Sequence, residues 1–136
     1  MLDLGVRGAI AISLGAIAGA LSRYLFTVLF NLLFTTVFPV GTFVINLTGC
    51  VGIGFVTTLL AGRLGNVSPD LRFLLVTGFL GSYTTFSTYS FETVALLQGS
   101  RVGLAIAYWL GSAVAALPCV YLGIALARWG QTLRLM

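Results

Sequence analysis

The chain has 136 residues and ten charges: seven Arg, two Asp and one Glu. That is 7%, where an ordinary soluble domain carries roughly 25%; hydrophobic types make up 59%, and the mean hydropathy is +1.09. So few charges cannot cover a water-soluble surface, which excludes a soluble enzyme, a secreted disulfide scaffold, a disordered tail and a coiled coil. The composition reads as an integral membrane protein. With no His and no Lys, a His-ligated zinc site, a Ser-His-Asp triad and a Lys Schiff base cannot be built, and no enzyme is expected. Cys50 and Cys119 lie in apolar runs and read as small packing residues. The scattered Arg residues read as membrane-flank charges and not as a nucleic-acid surface.

Charge-free runs cover 8–22, 24–62, 73–91, 93–100 and 102–127. They are long and do not alternate. A membrane helix needs about 20 apolar residues and a barrel strand about 10 alternating ones, so the fold is all-α. The first crossing is expected at about 6–30. Residues 8–20 end in Ala18-Gly19-Ala20, which mimics a signal-peptide cleavage site. Further spans follow, and this segment is read as a membrane helix. Residues 28–38 look like an interfacial connection, closed by Phe38-Pro39-Val40-Gly41, where proline breaks the chain. The second crossing is expected at about 40–61, followed by a loop at Gly65-Asn66-Val67-Ser68-Pro69-Asp70. A third segment at about 70–98 and a fourth at about 102–128 are joined by Gln98-Gly99-Ser100-Arg101. The whole chain forms one four-helix membrane domain in this reading. Arg7, Arg63, Arg72, Arg128 and Arg134 then share one side, against Arg101 and Arg23, which places the termini in the cytoplasm.

The third segment carries two Gly and seven Ser/Thr between Thr77 and Glu92. Gly and hydroxyl residues weaken a helix and offer its backbone other partners. A helix broken near Gly81–Thr84 follows, exposing carbonyls that suit a small cation or amides that suit an anion. The alternative is a continuous helix whose small residues pack against neighbours. Phe86 and Tyr89 share a face among the polar Ser87, Thr88 and Glu92. Thr42, Asn46 and Gly49 form one stripe on the second segment. Asn46 either glues two helices or faces water. Tyr108 and Ser112 share a face of the fourth. Gly15 and Gly19 mark close packing of the first, with Arg23 pointing into protein or toward the far interface. Glu92, the only acid within a span, is open to structural pairing, to a hydrogen-bonded polar track or to proton coupling.

The motifs Gly15-x-x-x-Gly19-Ala20-x-x-Arg23-Tyr24, Gly41-Thr42-x-x-x-Asn46-x-x-Gly49 and Gly78-Phe79-x-Gly81-x-x-Thr84-Thr85-Phe86-Ser87-Thr88 resemble the CrcB/Fluc fluoride channels over almost the whole chain. The resemblance implies an antiparallel dimer of four-helix subunits in the cell membrane, two fluoride pores, passive export of cytoplasmic fluoride, and a structural sodium ion at the dimer interface. By motif match the sodium ligands are the carbonyls of Gly81 and Thr84. The pore aromatics are Phe86 and Tyr89, and the pore amide is Asn46. The polar track matches Thr42, Ser87, Thr88 and Glu92, with Tyr108 and Ser112 from the fourth helix and Arg23 in the vestibule. Three positions depart from the pattern. Tyr89 stands where Phe is usual, Ala116 where some members carry a hydroxyl, and Cys50 where Ser is common.

The partner is expected to be a second copy or, given the five-to-two basic bias, an oppositely oriented paralogue. Two other functions compete. A small multidrug-type proton-coupled exporter relies on an early membrane carboxylate, which this first segment lacks. A non-transporting assembly subunit would pack through its Gly faces.

Overall fold

The computed structural model describes residues 2–62 and 67–133. Among these the chain is helical apart from short connections, with no strand. Helix α1 spans Leu2–Leu33, α2 Val40–Ala61 and α3 Pro69–Arg72. A π-helical segment follows at Phe73–Leu80, then α4 at Gly81–Tyr83, α5 at Phe86–Gln98 and α6 at Val102–Leu133. Three stretches among the described residues are long and apolar enough to cross a membrane: Gly5–Leu33, Val40–Ala61 and Val102–Thr132.

Residues 28–33, expected in an interfacial connection, instead continue α1. Nothing in this run breaks a helix, and aromatics at four-residue spacing support it. Phe26 and Phe30 stack at 6.4 Å between centroids, and Phe30 and Phe34 at 6.0 Å. The connection shortens to residues 34–39, and α2 restarts directly after Pro39. The expected loop residues Gly65 and Asn66, with Arg63 and Arg134, lie outside the described residues.

Pro69 occupies the first helical position of α3, where its missing donor is harmless. Asp70 sits in that first turn, where an acid complements the helix dipole. It pairs with Arg7 Nε at 3.4 Å, an exposed contact of about 0–1 kcal/mol. The chain then runs as helix to Tyr83, with the Gly81 N–H reaching back five residues to the Val76 carbonyl.

Packing rests on glycine. The π-helical segment lies mainly against α1, and α2 against α6. A Cβ on Gly15 would strike the Leu74 carbonyl, and one on Gly19 the Phe79 carbonyl. Gly54 and Gly123 bring the α2 and α6 backbones together in the same way. Large side chains such as Leu14, Ile17, Leu21, Val114 and Leu117 are exposed on α1 and α6, as a lipid-facing surface requires. Helix α5 ends with a double return of backbone bonds: Ser100 N–H to Leu97 O at 3.0 Å and Arg101 N–H to Leu96 O at 2.9 Å. Ser100 takes φ 57° to close it, a conformation usually given to glycine.

Candidate functional site

Helical geometry stops at two residues. Thr84 (φ −81°, ψ 160°) and Thr85 (φ −150°, ψ 118°) are extended. The Thr84 N–H still reaches the Leu80 carbonyl at 3.2 Å, the i→i−4 bond of a helix; the polar groups of Thr85 find partners elsewhere. Asn46, on the facing side of α2, accepts from the Thr85 N–H at 2.8 Å and donates from Nδ2 to the Thr85 carbonyl at 3.0 Å. The Thr85 hydroxyl accepts from the Thr88 N–H at 3.2 Å, capping α5. It donates in turn to the Thr88 hydroxyl at 3.0 Å. Gly49, one turn beyond Asn46, admits the Thr84 methyl group, which a Cβ there would strike.

A second polar cluster joins α2, α5 and α6. Both carboxylate oxygens of Glu92 accept hydrogen bonds, Oε1 from Thr42 at 2.8 Å and Oε2 from Tyr108 at 2.7 Å. Thr42 is buried and Tyr108 wholly so. An acid held among apolar helices needs such donors. Ser112 donates to the Tyr108 carbonyl at 2.6 Å.

Phe86 and Tyr89 lie 5.7 Å apart with planes at 46°, and Tyr89 meets Tyr108 edge-on at 5.2 Å. Their exposures differ sharply: Tyr89 is 6% exposed and Phe86 79%. The Tyr89 hydroxyl donates to the Trp109 carbonyl at 2.7 Å.

Two open recesses meet at the break. One, of about 690 Å³, runs between α2, α5 and α6 and includes Asn46, Phe86, Tyr89 and Ser112. Among the described residues no charged one lines it. The other, of about 790 Å³, lies toward α1 and includes Arg23, Ser87 and Phe86. Gly81, Thr84 and Thr85 border both.

The expected residues therefore gather into two linked groups. Asn46, Thr84, Phe86, Ser87 and Thr88 surround the break, and Thr42, Glu92, Tyr108 and Ser112 form the cluster behind Tyr89. Arg23 lies on the far recess. Donors already engaged with protein acceptors are those of Thr42, Tyr89, Tyr108 and Ser112. Asn46 has two amide hydrogens, and one serves Thr85. Its second hydrogen has no acceptor among the described residues, and Asn46 lines the recess with Phe86 and Tyr89.

Residues 10–124 match the family described as CrcB-like protein, Camphor Resistance (CrcB). The chain belongs to this CrcB-like family. It is 49% identical over 127 residues to the fluoride-specific ion channel FluC of Synechocystis sp., covering 93% of this chain and 97% of that one. It is 46% identical over 123 residues to the FluC of Trichormus variabilis, covering 90% of each chain. It is 46% identical over 120 residues to the FluC of Chloroflexus aurantiacus, covering 88% and 94%. Three apolar helices of crossing length, in a chain of this family, make it a multi-pass membrane protein.

For a CrcB-like chain, the residue that sequence reasoning passed over is Thr85. It stands in the third motif without an assigned role, yet three of its polar groups hold the break together. The signal was the Thr84-Thr85 pair followed three residues later by Thr88, a cap-like spacing. The Trp109 carbonyl had no signal, since any residue type carries one. Among the described residues no group of three or more His, Cys, Asp or Glu could hold a metal ion. A cation at the break would therefore need backbone oxygens, which suit a hard ion. The amides that a continued helix would aim at the Gly81 and Thr84 carbonyls are those of Thr85 and Thr88, and both are engaged elsewhere. That donor set fits a small monovalent cation.

Proposed function

We propose that this protein is a fluoride-selective channel through which cytoplasmic fluoride leaves the cell passively, lowering fluoride toxicity. The observation that carries the reading is the groove beside the break. Among the described residues no charged side chain lines it, and it gathers the Asn46 amide, the Ser112 hydroxyl and the rings of Phe86 and Tyr89 in a chain whose relatives are named fluoride-specific channels.

Fluoride is small and strongly hydrated, so a pore must replace its water. Amide and hydroxyl hydrogens do so directly. The positive ring edges of Phe86 and Tyr89 add weaker contacts. A basic side chain in the groove would hold the anion too tightly; several moderate sites let it enter and leave. Arg23, on the recess outside the groove, raises the local anion concentration. Thr42, Glu92, Tyr108 and Ser112 form a polar track behind the ring of Tyr89.

The segment from about 70 to 98 serves as a fourth crossing in this reading, with its break at mid-depth. Unwound backbone there must be buried in protein or line water. An antiparallel second subunit would cover it, either another copy or an oppositely oriented paralogue. The Gly81 and Thr84 carbonyls of both subunits would hold a sodium ion, which supplies the positive charge that lets carbonyl dipoles converge.

The test is efflux from liposomes, read with a fluoride electrode against chloride release. The wild type releases fluoride and retains chloride. Phe86→Ile removes a ring edge, and Asn46→Asp puts a carboxylate beside the path; both abolish fluoride release while the purified oligomer persists. Near-normal release from either variant would sink the pathway assignment.

A further inference from the structure

We infer that Asn46 and Thr85 are positioning residues: their side chains take up the two backbone amides that would otherwise close off the Gly81 and Thr84 carbonyls, and so hold those carbonyls open to a small cation. The inference rests on the reading of these carbonyls as cation ligands.

The argument starts from helix arithmetic. In an uninterrupted α-helix the carbonyl of residue i accepts from the N–H of residue i+4. Gly81 would be served by Thr85, and Thr84 by Thr88. The Thr85 N–H points instead to Asn46 Oδ1 at 2.8 Å, and the Thr88 N–H to Thr85 Oγ1 at 3.2 Å. Asn46 holds both the N–H and the carbonyl of Thr85, at 2.8 and 3.0 Å, so its amide plane fixes the orientation of the peptide groups on either side of that residue. It does so from a different helix. The position of α2 therefore decides whether the carbonyls at the break face outward or fold back into a ladder. Gly49 sets the distance, because its bare Cα lets the Thr84 methyl group lie against α2. Neither side chain need touch the cation. Supporting groups of this kind typically change metal affinity by roughly 10–100-fold when removed.

This assignment separates two consequences of changing Asn46. Its Oδ1 serves the cation carbonyls, and its spare N–H faces the anion groove. Asn46→Asp keeps an oxygen for the Thr85 N–H, loses the bond to the Thr85 carbonyl and places a carboxylate where the anion passes. Asn46→Ala removes both. The test uses the purified full-length protein in detergent, with thermal unfolding followed at increasing sodium against N-methylglucamine at constant ionic strength. Fluoride efflux is measured in parallel. The wild type is stabilised by sodium with a saturable dependence. Asn46→Ala and, independently, Thr85→Val shift the sodium midpoint upward by roughly 10–100-fold. Asn46→Asp loses fluoride flux.

Absence of any sodium effect in the wild type would remove the cation reading beneath the inference. With that effect present, a folded Asn46→Ala protein that responds to sodium like the wild type overturns the positioning role. If Asn46→Ala does not fold, Thr85→Val decides in the same assay, and a wild-type midpoint there overturns it.

Discussion

The Tyr89 hydroxyl is bonded to the carbonyl of Trp109 at 2.7 Å, tying α5 to α6 across a buried contact. The hydroxyl by which position 89 departs from the expected Phe is thus already engaged with a protein acceptor. Tyr89→Phe is expected to keep fluoride efflux and chloride exclusion close to wild type, because the ring and its neighbours Phe86 and Tyr108 stay in place. It should lower stability by about 0.5–1.5 kcal/mol, the net worth of one buried hydrogen bond. Flux assays and unfolding curves on the same preparation check both halves. A gain in chloride release would mean that the hydroxyl itself sorts halides.

Thr42 and Tyr108 hold opposite oxygens of one carboxylate, so their contributions cannot be independent. Glu92→Gln leaves one acceptor oxygen for two donors and turns an amide hydrogen toward the other. Thr42→Val removes a donor from the same group. Combined, the two changes should cost less than their sum, with a coupling of about 0.5–3 kcal/mol in a double-mutant cycle of unfolding free energies. Strict additivity would show that the Thr42–Glu92 bond carries no energy.

Gly49→Val tests the close approach of α2 to the break. Its Cβ would meet the Thr84 methyl group. Overpacking of this kind typically costs about 1–3 kcal/mol, and the forced shift falls on the residues that hold the break. Fluoride efflux should be lost. Gly111→Ala is the control, since nothing lies within 4 Å of the added carbon; it should be neutral in flux and gain up to about 1 kcal/mol in helix stability.

Ser100 closes α5 in the left-handed region at φ 57°. Ser100→Gly removes the Cβ clash and should raise stability by about 1 kcal/mol without touching efflux. Thermal unfolding reads the gain directly.

Breakers and composition were legible in the sequence. Pro39 ends a connection where a missing donor requires it, and the hydroxyl-rich run around Thr84 and Thr85 leaves helical geometry as its competing partners suggest. Other features depend on neighbours distant in the chain. The Thr85 clamp needs Asn46, 39 residues earlier, to arrive at one register of α2 against α5. The π-helical stretch Phe73–Leu80 carries no local signature; it forms where Gly78 docks on α1 beside Gly15. The end of α1 was hidden for the opposite reason. Asn31, Thr35 and Thr36 give residues 28–38 a mixed, interface-like texture, while the aromatics spaced by four continue the helix. Phe86 and Tyr89 were placed on one face by spacing, but spacing does not tell that α6 covers one ring and leaves the other bare.

The engaged hydroxyls of Thr42, Tyr108 and Ser112 make transit through the proposed channel an exchange reaction. A passing ion gains each of these hydrogens only by displacing an oxygen that already holds it. A compact halide with concentrated charge can complete such a substitution. A larger one, its charge spread over more surface, leaves the hydrogens where they are, so discrimination would follow from rivalry among acceptors even where the bore is wide enough for both.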